Sequence, residues 1–130
     1  MSEWRAETTS DLEQGTRRLE SLLPSVAGEP SKDQLRSIWL AYLEVEKSIA
    51  FIKFDIGEEN PGRFIKLKAY KVQDERQAIQ FALKYLKKGS ASFFIGDFLQ
   101  ALKDLRESRN YLRALLREQR LKRARKARSA

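Results

Sequence analysis

An uninterrupted seam of apolar residues in the second quarter of the chain constrains its fold more than any other feature. The seam advances by alternating steps of three and four residues through Leu35, Ile38, Tyr42, Val45, Ile49, Ile52 and Ile56. This spacing places all its members on one face of an α-helix of about six turns. Ser31 lies three residues before Gln34 in a capping-box arrangement, so we expect the helix to begin there.

A β-hairpin over residues 49–72 is the competing interpretation. Residues 49–56 and 63–72 are rich in β-branched and aromatic side chains, and they flank the turn-forming segment 57–62. The seam enters this region in phase from clearly helical sequence. The helix is therefore favoured, and the hairpin stays open at this stage.

Two further helices are predicted around the seam. A short helix over residues 10–23, capped by Ser10 or Asp11, precedes a Pro- and Gly-containing linker over residues 24–31. A long helix is expected over residues 63–86 and should stop at Lys87-Lys88-Gly89, because basic residues suit a last helical turn and Gly suits the position after it.

The last long helix should begin at the cap Asp97, after a turn over residues 90–97 whose Phe93 and Phe94 pack onto the core. Its seam comprises Phe98, Ala101, Leu102, Leu105, Leu112, Leu115 and Leu116. Residues 117–130 contain seven basic side chains and one Leu, so they cannot bury a face of their own. They form either an extension of the helix or a disordered arm.

These elements predict an all-α fold: a helical bundle of three long helices plus a short N-terminal helix and a basic C-terminal tail. A chain of 130 residues has room for one domain. We divide it into an N-terminal helix and linker (1–30), a bundle core (31–117) and a tail (118–130).

The chain contains no Cys and no His, which removes thiol chemistry and the commonest general base and metal ligand. Its carboxylates are scattered or in local pairs. We therefore expect no enzyme, no catalytic residue, no metal site and no cofactor. Since there is no long apolar run and no secretory signal, we expect a cytoplasmic protein without membrane contact.

Charge is divided between the two halves of the chain. Residues 1–60 carry 7 basic and 12 acidic side chains, whereas residues 61–130 carry 19 basic and 6 acidic ones. Such a surplus suits a polyanion, most commonly a nucleic acid, although a merely solvated basic surface is the simpler alternative. The acidic first half could also contact the basic half of another copy, giving head-to-tail self-association.

The basic residues of the second half form three groups on the predicted helices. They are Lys66, Lys68 and Lys71, then Lys84, Lys87 and Lys88, and an arginine stripe of Arg106, Arg109, Arg113, Arg117 and Arg120. Guanidinium groups at these steps recur about every 5.4 Å, once per helical turn, and suit successive phosphates. Aromatic residues interleave them and could stack on bases, although core packing is commoner: Phe64, Tyr70, Phe81, Tyr85 and Tyr111. We expect sequence-tolerant backbone binding.

Three blocks of sequence carry a family resemblance. They are residues 31–36 (SKDQLR), residues 66–70 (KLKAY) followed by Arg76, and Asp97-Phe98 followed by Glu107 and Tyr111. Together they resemble the small helical subunit of type III-A (Csm) CRISPR effector complexes. The resemblance implies a non-catalytic, all-helical subunit, present in several copies, that lines guide and target RNA beside other protein subunits. It carries over Arg36, Lys66, Lys68 and Arg76 as contact residues.

Two other functions stay open. One is a helical adaptor that binds a protein partner through an exposed apolar seam. The other is a general, sequence-tolerant nucleic-acid-binding protein outside any guide complex.

Overall fold

Four α-helices account for most of the residues that the computed structural model describes, which are 3–57 and 74–129. They are α1 (Glu3–Leu22), α2 (Lys32–Ile56), α3 (Glu75–Phe94) and α4 (Phe98–Ser129). No strand occurs in these two stretches. The all-α prediction is therefore confirmed for the described part of the chain.

The predicted start of α2 and its apolar seam are both confirmed. Ser31 Oγ accepts a hydrogen bond from the Gln34 N–H at 3.2 Å, and Gln34 Oε1 accepts one from the Ser31 N–H at 2.8 Å. Gly57, with φ of 69°, ends the helix in the left-handed conformation that favours glycine. Residues 49–56 are helical, so the alternative prediction of a hairpin strand there is wrong. The second strand of that hairpin, residues 63–72, lies outside the described residues.

Helix α1 begins at Glu3, seven residues before the predicted cap at Ser10, and at 20 residues it equals α3 in length. Ser10 and Asp11 therefore lie within the helix. The extension is stabilised by long-range packing: the Trp4 ring lies 6.0 Å from the Phe93 ring and 5.9 Å from the Phe98 ring. Local capping signals carry no information about such contacts.

The predicted stop of α3 at residues 87–89 is wrong, because the helix continues to Phe94. The turn before α4 is confined to residues 95–97, with Gly96 at φ of 83°. Phe93 is buried as predicted, whereas Phe94 is 55% exposed. Asp74 Oδ1 caps α3 by accepting a hydrogen bond from the Arg76 N–H at 2.9 Å. The first turns of the helix predicted over residues 63–86, residues 63–73, lie outside the described residues.

Helix α4 starts at the predicted cap, where Asp97 Oδ1 accepts from the Gln100 N–H at 3.2 Å. It continues to Ser129, so the basic tail is helical as far as that residue. Two ion pairs connect its last turns to the rest of the molecule: Lys122 with Glu75 at 3.1 Å and Lys126 with Glu29 at 3.4 Å. These contacts anchor a segment that has almost no apolar side chains.

The helices form a ring in which α1 packs on α2 and α3, and α4 packs on the same two helices. Their apolar stripes meet in one core, which includes Leu12, Leu19, Ile38, Val45, Ile52, Ile79, Leu86, Leu105, Leu112 and Leu115. A buried hydrogen bond, Ser108 Oγ to the Ala82 carbonyl at 2.7 Å, links α3 and α4. Among the described helices, none has the length and apolarity needed to cross a membrane.

Candidate nucleic-acid interface

A groove between α2 and α4 collects basic side chains from both halves of the chain. It has two adjoining parts, with volumes of about 470 and 560 Å³, the size range of small-ligand sites. The first part is lined by Lys32, Leu35, Arg36, Trp39, Leu116, Gln119, Arg120 and Arg123. The second is lined by Trp39, Tyr42, Arg113, Leu116, Arg117 and Arg120. We call the two parts together the α2–α4 groove.

Three of the groove arginines, Arg113, Arg117 and Arg120, lie on one face of α4 because they are spaced by four and three residues. Arg113, Arg117 and Arg120 are exposed, while Leu112 and Leu115 on the opposite face are buried. Among the described residues, no carboxylate lies within salt-bridge distance of these three guanidinium groups. The groove therefore keeps a positive charge that an anionic ligand could neutralise.

Arg36 enters the same groove from α2, opposite Arg120 and Arg123. The two helices run antiparallel here: residues 32–36 of α2 face residues 119–123 of α4, and farther along Glu46 pairs with Arg109. Thus the basic stripe of the second half is extended by a residue of the acidic half.

Several groove residues were not among the predicted site residues: Trp39, Lys32, Gln119 and Arg123. Trp39 is the aromatic one. Its side chain is 48% exposed, and its ring stacks on Tyr42 with centroids 5.4 Å apart and an interplanar angle of 26°. The stacking aromatics predicted from the sequence all lie in the basic half of the chain. The sequence did contain a signal for Trp39. It directly follows the seam residue Ile38, and this position lies at the edge of the apolar face of the helix, where a side chain is partly exposed.

Two members of the predicted arginine stripe are engaged inside the molecule. The Arg109 side chain is only 11% exposed, and its Nη1 lies 3.3 Å from Glu46 Oε1. Arg106 is partly buried and also makes interactions of its own. The exposed stripe is thus reduced to Arg113, Arg117 and Arg120.

The lysines of α3 form a separate patch that the structure does not bring to the groove. Lys84 and Lys88 place their ammonium groups 5.7 and 5.5 Å from the Tyr85 ring, and Lys87 lies 3.9 Å from Glu20 of α1. These residues line the α1 and Tyr85 sides of α3, whereas the groove is formed by α2 and α4.

The predicted stacking aromatics near this lysine patch pack on one another. Tyr111 stacks on Phe81 at 5.3 Å and on Tyr85 at 6.0 Å. Burial raises the pKa of Tyr111, and the neighbouring Tyr85 and Glu107 act in the same direction. Phe64 and Tyr70 lie outside the described residues. The described members thus serve the contact between α3 and α4.

Four of the predicted contact residues are therefore brought together: Arg36, Arg113, Arg117 and Arg120. Arg76 is exposed in the first turn of α3 and does not line the groove. Lys66, Lys68 and Lys71 lie outside the described residues.

Acidic residues of the first half form several ion pairs within the molecule. Lys47 lies 2.6 Å from Glu7 and 3.4 Å from Asp11, and hydrogen bonding to Glu7 is the main cause that raises the Lys47 pKa. Arg18 Nε donates to Glu44 Oε1 at 2.7 Å, yet burial outweighs this contact and raises the Glu44 pKa. Part of the acidic charge is thus already compensated.

The fold and the groove together define an all-α bundle with a basic, aromatic-lined cleft between two antiparallel helices. Comparison of the chain with known family models, curated proteins and solved structures finds no match.

Proposed function

We propose that the protein is a non-catalytic structural component that binds nucleic acid along the α2–α4 groove. One observation carries the proposal: Arg36 of α2 and three exposed arginines of α4 converge on one cleft without carboxylate partners among the described residues. Guanidinium groups bind phosphate through paired, charge-assisted hydrogen bonds. Contacts of this kind hold the backbone and do not select a base sequence.

RNA within a ribonucleoprotein is the more specific form of the proposal. It is supported by the motifs that resemble the small subunit of type III CRISPR RNA-targeting complexes, where guide and target RNA would be the ligands and other subunits the neighbours. Arg36 belongs to the first of these motifs and lies in the groove. Head-to-tail contact between copies remains part of this proposal, based on the charge division along the chain.

A helical adaptor is the second candidate, and a different observation favours it. Phe94, Ile95 and Leu99 expose 55%, 81% and 70% of their surface around the turn between α3 and α4. Adjacent apolar side chains at such exposure are typical of a protein-binding surface. Binding through this surface would respond little to salt, in contrast to phosphate binding.

Charge reversal at two surfaces tests the main proposal. One variant carries Arg113→Glu, Arg117→Glu and Arg120→Glu; the comparison variant carries Lys84→Glu, Lys87→Glu and Lys88→Glu, with the same change in net charge on the separate lysine patch. Fluorescence anisotropy with labelled RNA measures affinity, and circular dichroism checks the helical content. We expect the arginine variant to lose binding and the lysine variant to retain most of it.

The reverse ranking would place the binding surface on α3 and contradict the proposed groove. Equal losses in both variants would indicate a response to net charge alone, without a defined site. Competition between RNA and DNA of the same sequence separates an RNA-dedicated protein from a general nucleic-acid-binding one.

A further inference from the structure

Trp39 stands where the two parts of the α2–α4 groove meet, since its side chain lines both of them. About half of the indole is exposed, and Tyr42 stacks beside it at 5.4 Å. An exposed indole flanked by cations is the arrangement on which unpaired bases stack in proteins that bind single strands. Phosphate contact alone needs no such ring.

Gln119 adds a second, independent observation in the same groove. Gln119 lines the part that contains Arg36, and only 3% of its surface is exposed. Its Nε2 has no hydrogen-bond partner among the residues that the structure describes. A buried amide donor without an acceptor is costly to the free protein. Because Nε2 itself is covered in the free protein, the amide must turn into the groove for an acceptor atom of a bound ligand to supply the missing partner.

From these observations we infer that the groove is a site for an unpaired nucleobase of a single-stranded nucleic acid. Trp39 stacks on the base, and the Gln119 amide turns into the groove so that Nε2 donates to an oxygen or nitrogen on the base edge. Arg36 and Arg120 hold the flanking phosphates. This inference rests on the proposed function and narrows it, because a base inside a duplex cannot leave the stack without an energetic cost.

The two tryptophans of the chain, Trp4 and Trp39, make the test direct. Trp4 lies in the aromatic cluster with Phe93 and Phe98, so the conservative change Trp4→Phe leaves Trp39 as the sole tryptophan, which is excited selectively over the tyrosines. This variant is titrated with single-stranded RNA, with the same RNA annealed to its complement, and with single-stranded DNA. The matched Trp39→Phe variant, whose sole tryptophan is Trp4, is the control.

We expect single strands to quench Trp39 strongly, the duplex to quench it weakly, and Trp4 in the control to be unaffected. Trp39→Ala should weaken single-strand binding by about 5- to 100-fold and leave duplex binding nearly unchanged. Gln119→Met, which keeps the volume and removes the amide, should weaken single-strand binding in the same selective way. The RNA and DNA arms show whether the sugar matters.

The two proposals fail in distinguishable ways. If labelled RNA does not bind the unaltered protein at low salt, the proposed function itself is wrong. If RNA binds but Trp39 is not quenched, and Trp39→Ala binds single strands as tightly as the unaltered protein, the base site is wrong while backbone binding stands. Equal quenching by an oligoglutamate peptide would also overturn the base site in favour of an acidic protein ligand.

Discussion

Gly89 of α3 faces Leu105 of α4 so closely that a Cβ on Gly89 would lie 2.7 Å from Leu105 Cδ2 and 3.3 Å from the Leu105 backbone nitrogen. Leu105 is fully buried. The missing side chain therefore allows the last turns of α3 and the first turns of α4 to approach each other closely. This packing fixes the position of α4, whose other side carries the groove arginines.

Gly89→Ala should destabilise the protein despite the better helix propensity of Ala. Overpacking of this kind costs about 1–3 kcal/mol, while the propensity gain offsets at most about 1 kcal/mol. Urea unfolding followed by circular dichroism measures the difference. Gly15→Ala is the matched control, since a Cβ there meets Leu86 Cδ2 at an ordinary 3.5 Å. We expect the control to be neutral or stabilised, and a stabilised Gly89→Ala would contradict the close approach.

Ser108→Ala tests the hydrogen bond that links α4 to the Ala82 carbonyl of α3. The loss of a buried hydrogen bond of this type costs about 0.5–1.5 kcal/mol in the free energy of unfolding. Ser90→Ala is the comparison, because Ser90 Oγ donates to the Leu86 carbonyl of its own helix at 2.8 Å. That contact contributes little to helix stability. An equal loss in the free energy of unfolding for both substitutions would show that the hydrogen bond between the helices contributes no more than the one within α3.

Arg109→Met should reduce stability and leave RNA binding nearly unchanged, because Arg109 pairs with Glu46 instead of facing the groove. The hydrogen-bonded pair is worth roughly 1–3 kcal/mol. Arg113→Met provides the opposite pattern, with stability retained and binding weakened. A double-mutant cycle with Glu46→Gln measures the coupling energy. A zero coupling energy, or a binding loss equal to that of Arg113→Met, would contradict this assignment.

Glu44 should give stability an unusual pH dependence. Burial raises its pKa in the folded state above the ordinary 4.5, so the folded protein binds a proton more readily than the unfolded chain. The free energy of unfolding contributed by Glu44 therefore falls as pH rises from 4.5 through the raised pKa. Urea unfolding of the unaltered protein and of Glu44→Gln across this range measures the effect. The stability difference between them should shift in favour of Glu44→Gln as pH rises; a shift the other way would mean that Arg18 dominates.

Local signals in the sequence predicted the parts of the fold that local physics decides. The seam of α2, its Ser31 cap and the Asp97 cap of α4 depend only on residues a few positions apart, and all are confirmed. Gly89 was wrongly predicted to end α3. A glycine is needed at this position because Leu105 of the neighbouring helix leaves no room for a side chain. The early start of α1 at Glu3 has the same kind of cause, since the next residue, Trp4, packs on Phe93 of α3.

The candidate site was predictable only in part for the same reason. The spacing of Arg113, Arg117 and Arg120 places them on one face of α4 without any knowledge of the partner helix. The sequence does not indicate that Arg109 meets Glu46, or that Trp39 and Arg36 lie across from the stripe. These relationships depend on the antiparallel packing of α2 and α4.

The salt dependence of RNA binding tests the central claim most directly. The affinity of the unaltered protein for single-stranded RNA is measured from low to moderate salt, beside a variant with Arg113→Gln, Arg117→Gln and Arg120→Gln. If each arginine contacts one phosphate, the slope of log affinity against log salt should become shallower by about 2, since each contact on a single strand contributes roughly 0.7. An unchanged slope with unchanged affinity would contradict nucleic-acid binding in the α2–α4 groove.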